Sequence, residues 1–197
     1  PRPIRRPLLS ARSELIREAG RGRPVPGRRR SMELIREIGP ALMAGALITV
    51  AVSGLAMALA LLVGLVIALA RISRARPVRL AAVGYVEVIR GSPLLIQLFI
   101  IYFGLAQYGI RLEAFTAGVL GLGLNYGAYL SEVFRGSIAA IDRGQREAAD
   151  SIGLSAWSVW RDVILPQALR IATPQIGNYA ISMLKDSALV STISVIE

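Results

Sequence analysis

The sequence predicts an all-α membrane protein, and three observations predict it. Every position from Pro40 to Ala70 is uncharged, a run long enough for a helix to cross a hydrocarbon core about 30 Å thick. The hydrophobic residues, 54% of the 197, sit in such blocks rather than scattered as in a soluble core. Arginines gather where the blocks stop. The chain also has no Cys and no His. That removes disulfides, thiolate and imidazole metal sites and the Ser-His-Asp arrangement, so enzyme chemistry starts from a poor inventory.

The first segment, residues 1–31, holds ten Arg against Glu14 and Glu18, which leaves about +2 of the net +10 for the rest. With its Pro and Gly content it reads as a disordered, solvated extension. The run Gly27-Arg28-Arg29-Arg30 resembles a nucleic-acid or anionic-lipid arm, but solvation explains it more simply, and no nucleic-acid partner is expected. The chain begins at Pro1, and Met32 stands just before the first apolar block. Met32 is expected to be the natural start, because an Arg-rich tail outside would violate the positive-inside rule.

About four spans are expected within residues 32–197, near 41–70, 92–110, 114–134 and 171–195. In the first, Gly45, Gly54 and Gly64 offer close helix approach. Arg71, Arg74, Arg76 and Arg79 then mark a cytoplasmic end. Pro93 suits the first turn of the second span, where its missing N–H is no loss. Glu87 and Arg90 stand three apart, a spacing that allows a helical ion pair. A polar stretch, about residues 136–170, follows the third span and falls inside by the same charge count. Lys185 and Asp186 interrupt the last apolar block and can neutralise each other near the outer face.

Within the polar stretch, residues 147–166 predict two short helices around a turn. Glu147, Ala148 and Ala149 are good helix formers. Gly153 can take the positive φ of a helix end, and Ser155 can cap the next helix. Trp157, Trp160, Val163 and Ile164 then recur at helical spacing. Pro166 and Pro174 mark boundaries to the following span. From the residues alone, such a partly apolar hairpin either docks a protein or lies on lipid headgroups.

The hairpin resembles the EAA loop of ABC importer permeases, with Glu147-Ala148-Ala149, Gly153 and Leu165-Pro166 at the family's spacing and Val163 where the family carries Ile. The run Arg90-Gly91-Ser92-Pro93-Leu94-Leu95, the stretch Asn125-Tyr126-Gly127-Ala128-Tyr129 and the stretch Lys185-Asp186-Ser187-Ala188-Leu189-Val190 are similar to the polar amino acid branch of that family. The resemblance covers roughly Met32 to the C-terminus. It implies a permease core of the methionine-importer type in a bacterial inner membrane, and docking rather than lipid for the hairpin. It implies as partners a second permease subunit, ABC ATPase subunits and an extracytoplasmic solute-binding protein. It also implies one further span beyond Glu197. Glu147, Ala148, Ala149, Gly153, Val163, Leu165 and Pro166 are then the ATPase-coupling residues.

No G-x-x-x-x-G-K-[ST] stretch occurs, so this chain is expected to bind no cofactor itself, with ATP and Mg on the partner ATPase. Polar groups inside spans are costly and often functional. Gln97, Asn125, Tyr126, Glu132, Asn178, Tyr179, Lys185 and Asp186 are the candidate substrate path. Interhelical hydrogen bonding and helix-end snorkelling explain each one taken singly more simply. The alternatives are a permease of the same class for another small solute, or a secondary transporter or channel, which gives no reason for the hairpin.

Overall fold

The computed structural model describes residues 28–194, and within them every regular element is helical. The chain divides into a unit through Gly45 and a larger one from Ala46 onward. The expected extension over residues 1–31 lies outside the described residues as far as 27, whereas residues 28–31 are already helical, inside α1 (Arg28–Arg71). In the first unit the described residues are helix, with Leu42 and Met43 exposed.

In the larger unit α1 continues to Arg71, and Ile38–Arg71 is apolar and long enough to cross a membrane. Its packing is built on small residues. Ala56, Ala60, Gly64 and Ala68 recur every fourth position, and the three alanines are fully buried. This stripe meets α4 (Ala114–Ala139). A Cβ placed on Gly64 would lie 2.9 Å from the Leu130 Cβ, and one on Gly127 would lie 2.8 Å from Val63 Cγ1. In lipid, tails are as apolar as side chains, so close van der Waals contact holds helices together rather than the hydrophobic effect. Of the three glycines expected to allow close approach, only Gly64 does so; a Cβ on Gly45 or Gly54 would meet nothing within 4 Å.

The expected second span, 92–110, corresponds to Leu94–Gln107, and another helix precedes it across a sharp break. α2 (Arg76–Gly91) and α3 (Leu94–Gln107) meet at 107°. Ser92 is extended at the break (φ −116°, ψ 143°), as a residue before proline prefers. Pro93 is the N-cap residue of α3 rather than part of its first turn. α3 widens into a π turn over Ile100–Gly104. Tyr85 fastens α2 by donating to the Leu124 carbonyl of α4 at 2.6 Å.

Beyond α4 come α5 (Arg143–Ser151) and a long helical stretch. That stretch starts as Ala156–Ser158, widens to a π turn at Val159–Ile164 and runs on as α6 (Leu165–Asp186). Pro166 sits in the first turn of α6, but Pro174 lies inside it. It marks no boundary, since Pro in a membrane helix is tolerated where neighbours re-satisfy the backbone. After Asp186 a 3₁₀ turn, Ser187–Leu189, leads into α7 (Val190–Ser194). α7 buries Ile193 beside Leu98, Tyr102 and Ala117.

Candidate functional site

Two places stand out, a hairpin and a cavity. In the hairpin, Asp142 caps α5 by accepting from the Gly144 N–H at 2.6 Å. At the other end Gly153 has φ +75°. The Leu154 N–H reaches the Ala149 carbonyl at 3.2 Å and the Gly153 N–H reaches that of Asp150 at 3.0 Å. This is the paired bonding of a Schellman helix end, which asks for glycine. Ser155 accepts from the Ser158 N–H at 3.2 Å and so caps the second arm. Ala149, Val159 and Ile164 are buried between the arms, with Trp160 and Val163 packed on them. Gln167 donates to Gln145 across the hairpin at 3.1 Å.

Of the predicted coupling residues, Ala149 and Val163 hold the hairpin together, while Glu147, Ala148, Gly153, Leu165 and Pro166 are exposed. So are Ile152 and Trp157, at 76% and 72%. The second arm is not a separate short helix. It passes through the π turn into α6 with helical dihedrals throughout. The wider turn arises just before Pro166, which has no N–H to continue an α ladder.

The cavity, about 530 Å³, opens where the α2–α3 break meets α4 and α6. Gln97, 8% exposed, ties the break. Its Nε2 lies 2.8 Å from the Ile89 carbonyl and 2.8 Å from Ser92 Oγ. Its Oε1 accepts from Asn125 Nδ2 at 3.1 Å. α4 presents Asn125, Tyr126 and Tyr129 on one helical face, and α6 presents Tyr179, Ser182 and Asp186. Tyr126 donates to Asp186 Oδ2 at 2.7 Å. The rings of Tyr126 and Tyr129 lie 6.0 and 5.8 Å from that of Tyr179. The Arg90 guanidinium lies 5.2 Å from the centre of the Tyr129 ring.

Next to the cavity Glu132 gathers three guanidinium groups. Oε1 takes Arg71 at 2.6 Å and Arg90 at 3.5 Å, and Oε2 takes Arg135 at 2.8 Å. The partner of Arg90 is therefore Glu132, not the expected Glu87, because the fold brings α4 closer than the helical neighbour. Asp186 likewise pairs with Tyr126, and no ion pair joins it to Lys185 among the described residues. The cavity thus collects Asn125, Tyr126, Tyr179 and Asp186 from the predicted path. Gln97 braces its wall and Glu132 forms the adjacent cluster, while Asn178 and Lys185 point outward and are exposed. Arg90, Ser92, Tyr129 and Ser182 line it unpredicted. For Tyr129 and Ser182 the signal was helical spacing from Asn125 and Tyr179; Arg90 and Ser92 come from another element and carried none. Among the described residues no three acidic side chains cluster as a metal site.

The sequence pattern of the family described as binding-protein-dependent transport system inner membrane component matches residues 60–195. A probable amino-acid ABC transporter permease protein, y4tG, of Sinorhizobium fredii is 42% identical over 158 residues, covering 80% of this chain and 68% of that protein. A solved structure of an amino acid ABC transporter with histidines is 45% identical, with a TM-score of 0.75, covering 81% of this chain and 75% of its own. The MetNI methionine ABC transporter, at 19% identity and a TM-score of 0.59 over 85% and 77% of the two chains, shares the fold.

Proposed function

We propose a transport function from one premise: this chain belongs to the family of binding-protein-dependent transport system inner membrane components. It is a membrane permease subunit and not itself an enzyme. We infer that it carries a polar amino acid inward across a bacterial inner membrane. ATPase subunits holding ATP and Mg, a second permease subunit and an extracytoplasmic binding protein complete the assembly.

The observation that carries this reading is the cavity, which sets a carboxylate, Asp186, and a guanidinium, Arg90, into one wall of tyrosines. A free amino acid has one ammonium and one carboxylate, and each needs an opposite charge when water is stripped away. Asp186 Oδ2 is engaged by Tyr126, leaving Oδ1 for an ammonium. Arg90 is held only at 3.5 Å by Glu132, so its other donors can meet a carboxylate.

Coupling follows from the continuity of the second hairpin arm with α6. Glu147, Gly153 and the exposed Ile152 and Trp157 present a docking surface to the ATPase. Movement of that surface is carried about 33 Å along the 22 residues of α6 to Asp186. Alternating access is then a rocking of α6 against α4 and the α2–α3 break.

The test is uptake of labelled amino acids into proteoliposomes holding the permease, its ATPase and binding protein. ATP should drive accumulation, and Asp186→Asn should lower it at least about a hundredfold while ATP hydrolysis continues. Equal uptake without ATP would point to a secondary transporter or channel, and unchanged uptake in Asp186→Asn would remove the cavity from the path.

A further inference from the structure

The charges that line the cavity are few. Among the described residues they are one cation, Arg90, and one carboxylate, Asp186. The nearest further carboxylates are committed or lie elsewhere. Glu132 is held by Arg71 at 2.6 Å and by Arg135 at 2.8 Å. Glu87 lines a neighbouring hollow that shares Arg90 and Tyr129. Every other polar group at the wall is neutral: Ser92, Asn125, Ser182 and three tyrosines.

We propose that this cavity selects amino acids whose side chain carries no net charge. The inference rests on reading the cavity as the amino-acid site and narrows it to a substrate class. Once the ammonium meets Asp186 and the carboxylate meets Arg90, both fixed charges are used. The substrate side chain is left with Asn125, Ser182 and the rings of Tyr129 and Tyr179. An amide or an aromatic group finds hydrogen bonds or ring contact there. A lysine or arginine side chain finds no second carboxylate. The face of Tyr129 is already taken by Arg90 at 5.2 Å, and contact with the Tyr179 ring is too weak to replace a carboxylate. A glutamate side chain finds no second free cation. Burying an unpaired charge is strongly disfavoured, so both charged classes are rejected, and rejection is the larger part of such specificity.

Two positions should convert the class. Tyr179→Glu places a carboxylate on the wall from α6, and Ser182→Asp places another one helical turn away. Either variant should favour a cationic side chain, and the pair guards against one of them failing to fold.

The experiment measures binding to the full-length permease purified with its ATPase subunits, without binding protein, so that only the permease selects. Labelled L-glutamine is displaced by unlabelled L-glutamine, L-arginine and L-glutamate. Expected is displacement by glutamine with arginine and glutamate at least about tenfold weaker, and arginine rising to at least the level of glutamine in Tyr179→Glu or Ser182→Asp. Arginine or glutamate matching glutamine in the native protein overturns the proposal, as does an unchanged arginine-to-glutamine ratio in folded variants of both kinds. If Asp186→Asn binds all three amino acids as the native protein does, or if none binds to the native protein, the reading of the cavity as the amino-acid site falls as well.

Discussion

The cavity and the hairpin are held together in opposite ways. Bonds around the cavity join side chains far apart in sequence: Gln97 to Asn125, Tyr126 to Asp186, Glu132 to Arg71. Those at the hairpin ends are local, within five residues, and each is donated by a backbone N–H: Asp142, Gly153 and Ser155 close each arm on itself. Side-chain bonds between helices can exchange partners as the helices slide. Local caps cannot, so they move with the element they close. The difference teaches a division of labour, in which the cavity is built to rearrange and the hairpin to stay rigid.

That contrast can be broken in five places. The largest effect is expected from Gln97→Leu, which leaves the buried Asn125 amide without its partner and the Ile89 carbonyl with only the longer bond from Ser92 Oγ at 3.4 Å. The loss should be about 3 kcal/mol, read as a lower thermal midpoint of the detergent-purified protein. Glu132→Gln comes next, at about 2 kcal/mol, because three guanidinium groups then face one another. A double-mutant cycle with Arg71→Leu should show coupling of about 1 to 2 kcal/mol, and additivity would mean that the cluster does not act as a unit.

Gly153→Val should cost about 1 to 2 kcal/mol, since an L side chain is strained at φ +75°. The sharper readout is functional: ATP hydrolysis persists while uptake falls at least about tenfold, and normal uptake would show that this turn transmits nothing. Ser155→Ala should cost about 1 kcal/mol by removing an N-cap, again as a shift of the thermal midpoint. Trp157→Ala should change stability by less than about 0.5 kcal/mol, because the side chain is exposed. It should nevertheless weaken co-purification with the ATPase, and full retention would move the docking surface elsewhere.

The same contrast decides what was legible in the sequence. Gly153 and Ser155 were readable because a cap is a property of a few adjacent residues. The membrane class was readable from the block of uncharged positions that became α1. The partner of Arg90 was not, because Glu132 is 42 positions away and only the fold brings it near. The break between α2 and α3 was half readable. Pro93 announced a boundary, but the 107° break is braced by Gln97 and Tyr85 through Asn125 and Leu124, 28 and 39 positions away. Pro174 misled for a related reason, since a proline stops a helix in water more readily than in a packed membrane bundle. Four of the cavity residues were legible as costly polar groups within spans, while Tyr129 and Ser182 needed the helix faces to be brought together in space.

The π turn at Val159–Ile164 has a consequence for how this chain tolerates change in length. A π turn amounts to one extra residue taken up inside an α-helix, and each residue of an α-helix turns the direction of everything after it by about 100°. The widened turn therefore sets the azimuth of Asp186 and Tyr179 relative to Trp157, as the keyway of a shaft sets the angle between two gears. Deleting one residue here would close the π turn into a regular α-helix and leave Asp186 facing Tyr126, whereas a deletion elsewhere in α6 before Asp186 would turn it away by about 100°. The π turn is thus the one place in this helical stretch where the loss of a residue can be absorbed.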